Sequence, residues 1–105
     1  ALTGGEQIRD YLYAGDVAAA FLAALEEELP LCQEYNVCSG QGICIRDFIM
    51  EFITVSGADP ALFRFGKLPY RQNEWMYCVG DNGKLLKYSR WRPQTALRDG
   101  IKRIL

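Results

Sequence analysis

Ile45, Phe48, Ile49, Phe52 and Ile53 fall at helical spacing on one stripe, and Gly57 follows them as a stop. A helix with such a stripe must cover something apolar. The runs around it are short and rich in aromatic and β-branched residues, so the pattern predicts a small sheet as its partner. Residues 8–14, QIRDYLYA without its first letter, read as a strand, and Glu34–Cys38 as a second one, followed by a turn at Ser39-Gly40-Gln41-Gly42. Between them Asp16 is placed to cap a helix over 17–28, with Val17, Phe21, Ala24 and Leu25 facing inward and Pro30 ending it.

Beyond Gly57 the spacing is less regular. Ala58-Asp59-Pro60 reads as a loop, residues 62–65 and 75–80 as further strands, and Gly66–Glu74 as the polar stretch between them. Asp81 is placed to start a short helix to about Tyr88. Thr95 is placed to cap a last helix whose inward residues are Leu97, Ile101, Ile104 and Leu105. The expected fold class is α/β, a small sheet of short strands with three to four amphipathic helices. At 105 residues it forms one domain, residues 1–105.

Composition excludes several classes. A formal net charge of −1 gives no basis for binding nucleic acid or an anionic membrane surface. No apolar run approaches the roughly 20 residues that a bilayer crossing needs, and no leader sequence is visible, so a cytoplasmic location is expected. The first residue is Ala1 rather than methionine, which suggests a processed end. Cys32, Cys38, Cys44 and Cys78 form no Cys-x-x-Cys pair and there is no histidine, so buried, reduced thiols are expected in preference to a zinc site or disulfides.

Several stretches, in order, resemble the C-terminal, substrate-binding part of the extended short-chain dehydrogenase/reductase family, the NAD-dependent nucleotide-sugar epimerases and dehydratases. They are Arg9-Asp10-Tyr11-Leu12-Tyr13 with Asp16-Val17, and Tyr35-Asn36-Val37 before Gly40 and Gly42. Next come Pro69-Tyr70-Arg71 with Glu74, Asp81-x-x-Lys84, and Trp91-Arg92-Pro93 with Thr95, Leu97 and Gly100. The resemblance implies that Arg9 and Arg71 contact the diphosphate of a nucleotide sugar and that Glu74 holds its ribose hydroxyls. A guanidinium suits that role, because its fork makes two parallel charge-assisted hydrogen bonds and keeps its charge at any relevant pH. Asp16 is expected to cap a helix, Asn36 to satisfy backbone groups at a strand end, and Trp91 with Pro93 to wedge the last helix onto the core. Asp10 is expected either to orient Arg9 or to face solvent.

The sequence also departs from the family pattern. Cys44 stands where a serine or threonine caps the second helix, Gly83 where Ser or Thr is usual, and Ser89-Arg90 where a glycine ends the short helix. No G-x-G-x-x-G loop for a dinucleotide occurs, and no tyrosine has a lysine four residues on. No catalytic, cofactor-binding or metal-binding residue is therefore expected in this chain, although NAD serves complete relatives, which carry a Rossmann domain. The expected function is that of a substrate-binding fragment that is not catalytic alone. The alternative is a non-catalytic binding or self-assembly module reusing the fold. Expected partners are a nucleotide-diphosphate sugar, bound weakly, a second copy in a homodimer, and the nucleotide-binding domain of a longer enzyme.

Overall fold

A computed structural model describes residues 1–30 and 33–105. Among these, three short strands and four helices carry the fold. Strand β1 is Ile8–Asp10, β2 is Gly42–Cys44 and β3 is Tyr77–Cys78. The sheet order is β2-β1-β3, with β1 antiparallel to β2 (Arg9 opposite Ile43) and parallel to β3 (Arg9 opposite Cys78). Arg9 thus sits on the central strand, which has neighbours on both sides.

The first expected strand is shorter than residues 8–14, because helix α1 (Ala14–Glu26) already begins at Tyr13. The Tyr13 carbonyl accepts from Asp16 N–H at 2.9 Å and Val17 N–H at 3.2 Å, which places Asp16 inside the first turn and corrects its role as that helix's cap. Its buried carboxylate instead reaches the far end of the chain, accepting from Gln94 N–H at 3.1 Å, Thr95 N–H at 2.9 Å and the Thr95 hydroxyl at 3.4 Å. Helix α4 (Leu97–Ile104) is accordingly held by Asp16, and Thr95 does not cap it; the N-cap is Ala96. Leu97 is half-buried and Ile101 buried, as expected, whereas Ile104 and Leu105 are exposed.

The inward face of α1 also differs from the expected one. Asp16 and Ala20 are buried, while Phe21 (67% exposed), Leu22 (57%) and Leu25 (78%) point to solvent. Small Ala20 lets Leu85 and Trp91 close against the helix, and Leu12, Ala23, Leu29, Tyr35 and Leu86 surround that cluster. Trp91 donates its indole N–H to the Asp16 carbonyl at 2.9 Å. It therefore joins α1 to helix α3 (Gly83–Tyr88) rather than wedging the last helix.

Helix α2 (Ile45–Ser56) agrees with its sequence stripe, and Gly57 closes it in the left-handed region at φ 71°. Cys44 provides no side-chain cap, and the helix finds carbonyls elsewhere: Ile45 N–H donates to Gln7 and Arg46 N–H to Gly5, both at 2.9 Å. Gly5 is required there, since at φ 72° an added Cβ would lie 2.9 Å from the Arg46 nitrogen.

Residues 34–38 form no strand. The Asn36 side chain donates to the Asp81 carbonyl at 3.2 Å, so this segment is held by side-chain bonds in place of a ladder. The second strand lies just beyond, at 42–44, where a turn was expected to end. Residues 62–65 are likewise not a strand; a 3-10 turn at Pro60–Leu62 precedes them, with Asp59 Oδ1 accepting from Ala61 N–H at 2.9 Å. The expected strand at 75–80 shrinks to two residues. Asp81 does serve the start of α3, accepting from Gly83 N–H at 2.9 Å. Ser89 closes that helix with φ −137°, so no glycine is needed.

Cys38 and Cys44 are half-buried free thiols and Cys78 is an exposed one, which corrects its expected burial; Cys32 lies outside the described residues. Among the described residues, no helix is long and apolar enough to cross a membrane. The chain is a slab of 49 × 33 × 14 Å. Its accessible surface of 7539 Å² exceeds by about 1,600 Å² what a compact monomer of 11.9 kDa exposes.

Candidate functional site

Arg9 and Glu74, 65 positions apart, meet at the sheet. The Arg9 guanidinium donates through Nη1 to its neighbour's carbonyl, Ile8, at 2.9 Å and through Nη2 to Glu74 Oε1 at 3.3 Å. Both side chains are partly exposed, 27% for Arg9 and 19% for Glu74. These contacts use two of the five N–H donors a guanidinium carries, which leaves the fork able to take an anion. Arg71 opens the turn that ends at Glu74, whose N–H donates to the Arg71 carbonyl at 3.1 Å, with Asn73 at φ 60° between them. Arg71 is exposed, and among the described residues its guanidinium forms no ion pair.

Asp10 neither orients Arg9 nor faces solvent freely. Its Oδ1 accepts from Ser39 N–H at 2.8 Å, and its Oδ2 from Gly40 N–H at 2.9 Å and Gly80 N–H at 3.2 Å. Burial raises the Asp10 pKa, but hydrogen bonds from Ser39, Gly40 and Gly80 outweigh it and hold the carboxyl below the ordinary aspartate value. The adjacent arginine and aspartate thus separate their tasks across the strand: Asp10 ties two loops to β1, and Arg9 is presented on the other face. The same bonds decide whether the Ser39–Gly42 turn could cradle a dinucleotide. Its Ser39 and Gly40 N–H groups are already taken by Asp10, and it leads into a strand instead of a helix, so the turn does not fit that cofactor.

Sequence reasoning missed Gln7. It is 5% exposed and donates from Nε2 to Glu74 Oε1 at 3.4 Å and to Thr3 Oγ1 at 3.5 Å. The available signal was its spacing, two residues before Arg9 and so on the same strand face. Two grooves lie elsewhere on the molecule. One of about 240 Å³ is apolar, walled by Tyr11 stacked on Phe48 at 4.3 Å, with Leu97 and Ile101. The other, of about 590 Å³, is lined by Ser39, Gln41, Asn82, Arg92 and Gln94 among others. Neither includes Arg9, Arg71 or Glu74.

Comparison with known proteins bears on this arrangement. The NAD dependent epimerase/dehydratase family matches residues 1–38. CDP-abequose synthase of Salmonella typhimurium is 38% identical over 106 residues, which cover 98% of this chain and 35% of that protein. The structure of RMD from Pseudomonas aeruginosa complexed with NADPH superposes with a TM-score of 0.80 at 26% identity, over 99% of this chain and 33% of that one. UDP-glucose 4-epimerase from Thermotoga maritima with UDP-glucose also gives 0.80 at 26% identity, over 93% of this chain and 30% of that one. The chain therefore spans about a third of the length of these relatives. By sequence and by fold it is a homologue of the NAD-dependent epimerases and dehydratases of the extended short-chain dehydrogenase/reductase family.

Proposed function

We propose that this chain is the substrate-binding, C-terminal part of an NAD-dependent nucleotide-sugar epimerase or dehydratase. In this reading Arg9 and Arg71 take the diphosphate and Glu74 the ribose hydroxyls. The observation that carries it is the junction of Arg9 on the central strand with Glu74 on the 71–74 turn, at 3.3 Å. An ion pair alone would be a modest surface contact. Here it brings together two groups complementary to the two ends of a ribose diphosphate, with a further arginine on the same turn. Support comes also from the relatives described as acting on or holding nucleotide sugars. The chain supplies contacts to the nucleotide and no hydride-transfer step, since its sequence contains no Tyr-x-x-x-Lys.

Calorimetric titration with UDP-, dTDP-, GDP- and CDP-sugars tests this reading. Arg9→Ala and Arg71→Ala should each weaken binding by about 1.5–3 kcal/mol, or roughly tenfold to a hundredfold. Affinity that is unchanged in both variants would show that the phosphate assignment is wrong.

A second reading, a self-assembling module, is favoured by the outer face of α1. No charge interrupts that helix between Asp16 and Glu26, and Phe21, Leu22 and Leu25 stand exposed on it. Together with the excess surface of the slab, this face is suited to a closed two-fold contact. Burial at roughly 25 cal/mol per Å² over several hundred Å² would offset much of the cost of association. Light scattering after size exclusion at tens of micromolar is expected to give the mass of two chains, and Leu25→Glu that of one. A wild-type mass of one chain ends this reading.

A further inference from the structure

We propose that Gln7 is a positioning residue of the nucleotide site: its side-chain amide tethers Glu74, keeping the carboxylate set for a vicinal diol when Arg9 turns to the diphosphate. The inference rests on the diphosphate reading above. Gln7 Nε2 and Arg9 Nη2 both donate to Glu74 Oε1, at 3.4 and 3.3 Å. Two donors, one on β1 and one two residues earlier just before it, therefore converge on a single carboxylate oxygen. Among the described residues Glu74 Oε2 makes no hydrogen bond, so it is available to accept from a ligand hydroxyl.

The other half of the Gln7 amide shows why a polar residue stands here. Its Oε1 is buried and, among the described residues, has no donor. An unsatisfied buried acceptor is unfavourable, and leucine or methionine would fill the same space without one. Turning the amide over would set two acceptors, Gln7 Oε1 and Glu74 Oε1, against each other. The orientation that remains is the one that donates to Glu74.

A second tether has a physical purpose. A diphosphate draws the guanidinium fork away from Glu74, and the freed carboxylate would then face like charge on the ligand. A neutral donor on a buried side chain keeps the carboxylate in place through that exchange. It does so without adding a positive charge that would compete with Arg9 for the phosphates.

The test is calorimetry of wild type, Gln7→Leu and Arg9→Ala with UDP and with 2′,3′-dideoxy-UDP. Wild type should prefer UDP by about tenfold, the loss expected for one hydrogen bond to a charged group. Gln7→Leu should reduce that preference to about twofold or less while leaving dideoxy-UDP binding nearly unchanged. Arg9→Ala should weaken both ligands alike. A full preference for UDP in a folded Gln7→Leu overturns the tether while leaving the diphosphate reading intact. Failure of wild type to bind either ligand, or indifference to Arg9→Ala, overturns both. Should Gln7→Leu not fold, the side-chain amide resonances of Gln7 in wild type decide. They should move further with UDP than with dideoxy-UDP, and an equal response to both ligands, or none, refutes the proposal.

Discussion

Trp91→Ala is expected to lower the unfolding free energy by about 3–5 kcal/mol, the usual cost of emptying a large aromatic site in a core. Trp91 is one of very few buried apolar side chains in the described chain, the others being Ala20, Ile53, Leu85 and Ile101. It fills the space between α1 and α3, and the methyl group of Ala20 is too small to fill the hole it leaves. The deletion also removes the hydrogen bond that the indole N–H gives the Asp16 carbonyl at 2.9 Å. Domains of this size are stable by about 5–15 kcal/mol, so the loss takes a large share of the total. Urea unfolding followed by circular dichroism measures it, with Trp91→Phe as the milder arm, expected to cost about 1 kcal/mol for the missing hydrogen bond and a smaller ring. A change under about 1 kcal/mol for Trp91→Ala would mean that the cluster is not the centre of stability.

The legible and illegible parts of this fold separate along physical lines. Helix α2 could be read because its apolar positions share one stripe and its exit is a glycine in the left-handed region. Helix α1 could be located but not oriented. Nearly every residue from Ala14 to Leu25 is apolar, so periodicity cannot choose a face, and the small side chain of Ala20 was what tertiary packing selected. The strands are two or three residues long, below the length at which alternation carries a signal, and loops around them are held by Asp10 and Asn36 side chains. At the site, the residues alone gave no reason to join Arg9 to a glutamate 65 positions away; only the family resemblance did. Gln7 was hidden for the opposite reason. A glutamine just before a strand looks solvated, and its burial arises from the chain folding over it between Thr3 and the 71–74 turn.

Asp10→Ala is expected to destabilise the fold by about 2–4 kcal/mol, because it removes a charged acceptor from three backbone donors at once. Those donors belong to Ser39, Gly40 and Gly80, so one carboxylate fixes the approach to β2 and the exit from β3 against the central strand. Asparagine cannot replace it cleanly. Whichever way its amide turns, an NH₂ group meets either Ser39 N–H or the pair from Gly40 and Gly80. The carboxyl's lowered pKa sets the pH dependence. An unfolded aspartate titrates near about 3.9. The stabilisation is therefore complete above that value and is lost as pH falls through the lower folded pKa. Wild type should lose stability more steeply than Asp10→Asn between pH 5 and pH 2, with the two converging at the acid end. Glu51, lowered by its hydrogen bond from Arg98, contributes a slope of the same sign to both proteins and so cancels in the comparison. If the two acid limbs run parallel, the three bonds to Asp10 do not depend on its charge. Nucleotide binding offers the functional counterpart. Arg9 is next along the strand, so loosening β1 should weaken ligand affinity in Asp10→Ala, but by less than Arg9→Ala does.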